Sequence, residues 1–228
     1  DAFINTNIYG TYVLLEFGKK FNIKKFIMIS TDEVYGSIPP GKSSKENDPI
    51  CPRSPYAASK ASAECLAYSY YTTYNLPVII TRSSNNFGPC QYPEKLIPLF
   101  ITNLLEDKKI PLYGDGKNIR DWLYVKDNCE AIDMVLQNGK NGDIYNIAGN
   151  NEKQNIEIAK LIMELMNKDE DYIEYVEDRP GHDRRYSLNC SKIKNELDWT
   201  PKYNFYEFMR KTVEWYKVNE WWWKKLKR

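Results

Sequence analysis

Phe26-Ile27-Met28-Ile29-Ser30-Thr31-Asp32-Glu33 opens as an unbroken apolar run and closes on hydroxyls and carboxylates. An apolar run without polar alternation suits a strand covered on both faces, as parallel strands are. The same pattern returns at Val78-Ile79-Ile80, which leads to Arg82-Ser83-Ser84-Asn85-Asn86. Helical spacing flanks both runs. Ile8, Val13, Leu14, Leu15 and Phe17 predict a helix over Phe3 to Phe21, stopped at Asn22. Ala57, Ala58, Ala61, Ala63, Leu66 and Ala67 give a second helix, Tyr56 to Tyr74, a slim packing face. Helix, strand, helix, strand implies crossover units in a doubly wound α/β fold, a parallel sheet with helices on both sides. Ligands of such sheets bind at the carboxyl ends of the strands, where the polar residues lie.

Beyond Pro89 the rhythm changes. Helices are expected over Lys95 to Asp107, Val125 to Asn138 and Asn155 to Asn167, with strands at Asp143 to Ala148 and Tyr172 to Val176. Pro111-Leu112-Tyr113-Gly114-Asp115-Gly116 reads as a turn, Glu177 to Arg185 as a charged loop, and Ser191 to Lys227 as two helical pieces broken at Pro201. This part is expected to form a smaller α/β lobe at the ligand-binding edge of the sheet. Trp221-Trp222-Trp223 cannot all face one side of a helix, so they predict a terminal helix packed on the body.

Composition narrows the function. The 32 Lys+Arg against 31 Asp+Glu leave no basic excess for nucleic-acid binding. No apolar stretch reaches the roughly 18 residues of a membrane span. Cys51, Cys65, Cys90, Cys129 and Cys190 are odd in number and never form Cys-x-x-Cys, which points to reduced thiols and a cytoplasmic location. With His182 the only histidine, no metal site or Ser-His-Asp triad is expected.

Four constellations carry chemistry. Tyr56-Ala57-Ala58-Ser59-Lys60 places a phenol and an ammonium on one helix face, where a cation would lower the phenol's pKa for proton transfer; a solvated pair is the alternative. Thr31-Asp32-Glu33 sets two carboxylates at a strand end, either as an acid and a base with opposite protonation or as caps of a turn. Asn85 and Asn86 suit sugar hydroxyls or a cofactor amide, or else form a turn leaving the sheet. Arg120 and the run Asp178-Arg179-Pro180-Gly181-His182-Asp183-Arg184-Arg185, read as loops, offer forked donors for a diphosphate or a salt-bridged surface.

Together, Thr31-Asp32-Glu33-Val34-Tyr35-Gly36, Tyr56-x-x-x-Lys60, Tyr92-Pro93-Glu94-Lys95-Leu96-Ile97-Pro98, Arg120-Asp121-Trp122-Leu123-Tyr124-Val125 and Asp178 to Arg185 resemble the dTDP-glucose 4,6-dehydratases of the extended short-chain dehydrogenase/reductase family. The similarity runs through essentially the whole chain. Related epimerases and decarboxylases share Tyr-x-x-x-Lys but carry other residues at Thr-Asp-Glu. The resemblance implies the C-terminal portion of a Rossmann-like sheet, with residues 1–89 a partial NAD-binding domain and 90–228 mainly a nucleotide-sugar lobe whose segments return to the core. It implies NAD as cofactor and a nucleotide-diphosphate sugar as substrate. Tyr56 would deprotonate the sugar's C4 hydroxyl, aided by Lys60, with Thr31 on the C4 oxygen, Glu33 removing the C5 proton and Asp32 protonating the departing C6 hydroxyl. Tyr56, Lys60 and Asn86 would meet NAD. Asn85, Glu94, Lys95, Leu96, Arg120, Asn155, Arg179 and His182 would line the sugar-nucleotide pocket, and Tyr113 would stack on the base. The helices at 3–21 and 56–74 would pair across a homodimer.

The eleven Gly never form a Gly-rich dinucleotide fingerprint after an early strand. The resemblance therefore implies a C-terminal fragment, with that turn and the first strands before Asp1. UDP-glucose 4,6-dehydration, 4-epimerisation and an inactive nucleotide-sugar-binding module are the competing readings.

Overall fold

The computed structural model describes residues 1–227. A π-helical segment, Ile4–Tyr9, runs into α1 (Gly10–Lys20), and Asn22 then takes a left-handed conformation that ends the helix. β1 (Phe26–Thr31) is followed by a 3-10 turn, Asp32–Tyr35, then α2 (Pro55–Tyr74) and β2 (Val78–Ser83). After these come β3 (Asn85–Phe87), α3 (Leu96–Leu105), β4 (Ile110–Tyr113), β5 (Ile119–Tyr124), α4 (Val125–Asn138) and β6 (Ile144–Ile147). β7 (Glu152–Gln154), α5 (Asn155–Leu165), β8 (Ile173–Val176), α6 (Ser191–Leu197), α7 (Phe205–Val218) and α8 (Glu220–Trp223) complete the order.

β1, β2 and β6 form a parallel sheet in that spatial order, with Met28 opposite Ile80 and Arg82 opposite Asn146. All six residues of β2 are buried, because it is the central strand and both faces are covered. Its alternate side chains divide between two cores. Val78 and Ile80 join Leu15, Ala63 and Ala67 beneath α1 and α2, while Ile79 joins Ala131, Val135 and Trp199 beneath α4 and α6. The small residues of α2 are what let that helix lie close on the sheet. β1 pairs on one side only among the described residues, and Ile29 is half exposed.

A second sheet, β3-β5-β7, and a pair, β4-β8, sit beside a third core built from α3, α5 and α7 around Phe100, Ile158 and Val213. The turn expected over Pro111 to Gly116 begins as strand β4, and only Gly114 and Gly116 adopt the left-handed backbone of a turn. Arg120, expected in a loop, lies on β5. Its apolar residues are confined to Trp122-Leu123-Tyr124, and the buried charged pair Arg120-Asp121 before them breaks the apolar run that marks β1 and β2. The C-terminal region forms three helices, with Trp223 buried, Trp222 against Trp215 and Trp221 exposed. No described helix is long and apolar enough to cross a membrane.

Candidate active site

At the end of β1, Thr31 Oγ1 accepts the Glu33 amide at 3.3 Å and donates to Asp32 Oδ1 at 3.2 Å. The capping and functional readings of this tripeptide are thus compatible, since the cap aims the two acids. Gly36 closes the 3-10 turn at φ 72°, and a Cβ there would lie 2.5 Å from the Cys51 carbonyl oxygen. Only glycine fits that approach. Asp32 is buried, with Oδ2 unpartnered. Burial and the adjacent Glu33 carboxylate push its pKa up to about 8, against the opposing charge of Arg120. Burial also raises Glu33, but Arg120, Arg179 and Lys95 all pull it back toward the carboxylate. The two neighbours therefore differ in environment, one secluded and one facing cations.

Tyr56 enters from the first turn of α2, whose start is fixed by Pro55 and by Ser54 Oγ accepting the Ala57 amide at 3.1 Å. Burial, then Glu33 and Asp32, push the phenol up to about 12. This direction is opposite to the lowering expected from Lys60. Lys60 Nζ donates to the Ile29 carbonyl oxygen at 2.5 Å, and burial lowers its own pKa. At Tyr56 itself, burial and the two carboxylates set the direction of the shift.

A basic cluster stands opposite. Buried Arg120 donates to the carbonyl oxygens of Ile119 (2.7 Å) and Asp183 (2.9 Å), and its guanidinium stacks 4.2 Å from the Tyr186 ring centre. Arg120 and Arg179 both aim Nη2 at His182 Nε2, at 2.8 and 3.1 Å. Guanidinium groups only donate, so Nε2 accepts and Nδ1 carries the proton toward Asp178 Oδ1 at 2.6 Å. Burial and the two guanidinium groups lower the His182 pKa, which favours that neutral tautomer. Arg179 also lies 5.1 Å from the Tyr113 ring centre. Asn155 joins this side through Asn118, whose carbonyl oxygen accepts the Asn155 amide at 3.0 Å and whose side chain contacts His182.

Not every candidate converges on the carboxylates. Glu94 is paired with Lys95 at 3.4 Å on an exposed segment, and Leu96 packs partly into the core beneath α3. Sequence reasoning missed Tyr186 and assigned no role to Asp183. Tyr186 Oη donates to Asp183 Oδ2 at 3.0 Å, and Arg53 binds the other carboxylate oxygen at 3.2 Å. An aromatic directly after two arginines was the available signal.

Where β1 and β2 end, the buried atoms Ser30 Oγ, Ser84 Oγ, Asn85 Oδ1 and Asn86 Oδ1 have no partner, and Asn155 Oδ1 is likewise free in the lobe. Unpaired buried groups clustered at strand ends are suited to meeting a ligand or solvent. They fit the hydroxyl and amide groups of a nicotinamide riboside and a sugar.

Parallel strands ending on a Thr-Asp-Glu turn, a Tyr-x-x-x-Lys helix and an arginine-rich lobe define the class of NAD-dependent enzymes acting on nucleotide-linked sugars. The sequence model described as GDP-mannose 4,6 dehydratase matches residues 1–212. The chain belongs to that family. It is 47% identical over 227 residues to a dTDP-glucose 4,6-dehydratase of Streptomyces antibioticus, covering 100% of this chain and 68% of the relative. A dTDP-glucose 4,6-dehydratase of Bacillus anthracis solved with NAD is 57% identical, with TM-score 0.93 over 98% of this chain and 71% of its own. Another from Streptomyces venezuelae, also with NAD bound, is 46% identical, with TM-score 0.98 over 100% of this chain and 70% of its own. The chain thus spans about 70% of the length of these solved relatives.

Proposed function

We propose that this chain is part of an enzyme that converts dTDP-glucose to dTDP-4-keto-6-deoxyglucose. The observation that carries the reading is the placement of two acids at the end of β1, Asp32 buried with Oδ2 unpartnered and Glu33 beside it on the side of Arg120, Arg179 and Lys95. Eliminating water across C5 and C6 needs such a pair: a base at C5 and an acid at the departing oxygen. Tyr56, Lys60, Ser30, Ser84 and Asn86 hold the nicotinamide end of NAD, whose chemistry when bound is to accept a hydride and later return it.

Tyr56 takes the proton of the sugar's C4 hydroxyl while Thr31 hydrogen-bonds that oxygen. Glu33 then removes the C5 proton, which a C4 ketone acidifies. Asp32 gives its proton to the C6 hydroxyl, which leaves as water. Arg120, Arg179 and Lys95 take the diphosphate together with His182, Tyr113 stacks on the base, and Asn85, Glu94, Leu96 and Asn155 contact the remaining sugar-nucleotide surface. Residues 1–89 serve the cofactor side and 90–228 mainly the sugar nucleotide.

A homodimer in the cytoplasm completes the proposal. Tyr9, Tyr12, Tyr68 and Tyr74 are exposed, and a shallow groove of about 700 Å³ lined by Ile8, Ala58, Ser62 and Cys65 runs along the same helices. Apolar surface of this kind is suited to a second copy.

The test supplies NAD and either dTDP-glucose or UDP-glucose and follows the 4-keto-6-deoxy product in deuterated water. Product from the thymidine substrate, with deuterium at C5 that disappears in Glu33→Gln, is expected. Retained nucleotide-sugar binding without any product would make the chain a binding module instead.

A further inference from the structure

Arg82, at the end of β2, is a buried cation that none of the steps above uses. Its Nε lies 3.1 Å from both oxygens of Glu64, and Nη2 reaches Glu64 Oε2 at 2.6 Å. Nη1 donates to Tyr35 Oη at 2.7 Å and to the Glu46 carbonyl oxygen at 3.3 Å. Tyr35 Oη in turn donates to Asn146 Oδ1 at 3.0 Å, and the Asn146 amide donates to Glu46 Oε1 at 3.0 Å. Glu64, Tyr35, Arg82 and Asn146 are all at most 4% exposed.

The members of this network are placed tellingly. Tyr56, Lys60 and Glu64 follow one another at intervals of four along α2 and so share a helix face. Tyr35 belongs to the same four-residue turn as Asp32 and Glu33. Arg82 therefore binds, with one guanidinium, the helix that carries the phenol and the turn that carries the two acids. Stability alone explains such a cluster poorly, since a buried ion pair gains little over well-packed apolar residues of the same volume. What a forked, fully paired guanidinium supplies is fixed geometry.

We infer that Tyr35, Glu64 and Arg82 are positioning residues that set the separation of Asp32 and Glu33 from Tyr56. The inference rests on the dehydratase reading for its consequence in catalysis, but not for its structural content. Tyr35→Phe is the mild test, because it keeps the ring and removes only the oxygen that accepts from Arg82 and donates to Asn146. Arg82→Lys, which keeps the charge and loses the fork, is the second variant.

Two readouts are needed, each with circular dichroism and thermal unfolding to follow the fold. With NAD and dTDP-glucose, Tyr35→Phe should lower kcat roughly tenfold and leave KM within about twofold, as misplacement of reacting groups does. Without substrate, carboxyl-labelled NMR should show Asp32 titrating at lower pH than in the unsubstituted chain. A loosened turn hydrates the acid, which otherwise faces Thr31, Glu33, Arg120 and Asp121. Unchanged kcat and unchanged Asp32 titration in both variants, even with a lower Tm, would reduce the network to a structural brace and overturn the inference. If the unsubstituted chain makes no product, the dehydratase reading fails separately, and the Asp32 titration still decides whether the network positions the turn.

Discussion

At Asp32, burial and the Glu33 charge act in the same direction, and the result can be read as a pH dependence of stability. The carboxyl has an ordinary value of 3.8 and a folded value of about 8. The unfolded chain gives up this proton near pH 4, while the folded chain keeps it until about pH 8. The contribution of Asp32 to stability is therefore fully present below pH 4 and is lost as pH rises toward 8. Asp32→Asn, which cannot ionise, should gain Tm relative to the unsubstituted chain across that window and no further above it, a difference that thermal unfolding at stepped pH would measure. The same substitution should slow dehydration by about a hundredfold or more, because the proton for the departing hydroxyl is gone. The sequence alone made this acid legible as half of a carboxylate pair. It did not reveal which partner is secluded, since that depends on burial by residues distant in sequence, among them Arg120, 88 positions downstream. Tyr56 and Lys60 were legible as a pair for the same local reason, and the direction of the Tyr56 shift was not, because it comes from burial and from Glu33 and Asp32, which only the fold brings close.

The elements recoverable from pattern are those whose side chains obey one period. β1 and β2 are apolar runs, α2 has its alanine face, and α4 spans Val125–Asn138 as the spacing implies. β5 was hidden because Arg120 and Asp121 are buried through polar partners, with Asp121 accepting the amides of Asn150 and Asn151 at 3.2 and 2.6 Å. Periodicity records hydrophobicity and misses a strand whose apolar half is only Trp122-Leu123-Tyr124 and whose other buried residues are charged. Turns follow a different logic, in which one residue's conformation decides. Gly36→Ala should destabilise the fold by about 1–3 kcal/mol, from its left-handed backbone and the overlap with the Cys51 carbonyl oxygen, as a lowered urea midpoint would show. Because Gly36 ends the turn that begins at Asp32, activity should fall with it.

Across the whole molecule, the exposed aromatic and small residues of α1 and α2 are what the proposed dimer would cover. Ser62→Arg places a bulky cation in the groove between Ile8 and Cys65. Its expected result is a monomer by light scattering with the circular dichroism of the unsubstituted chain; a persisting dimer would move the interface elsewhere. A different margin of the molecule has its own consequence. β1 has a ladder partner on one side only among the described residues, and its Ile29 is half exposed. Such a margin can template a further strand from any chain that meets it. That margin is where a further strand would extend the sheet, with Lys60 Nζ set on the Ile29 carbonyl oxygen at its edge.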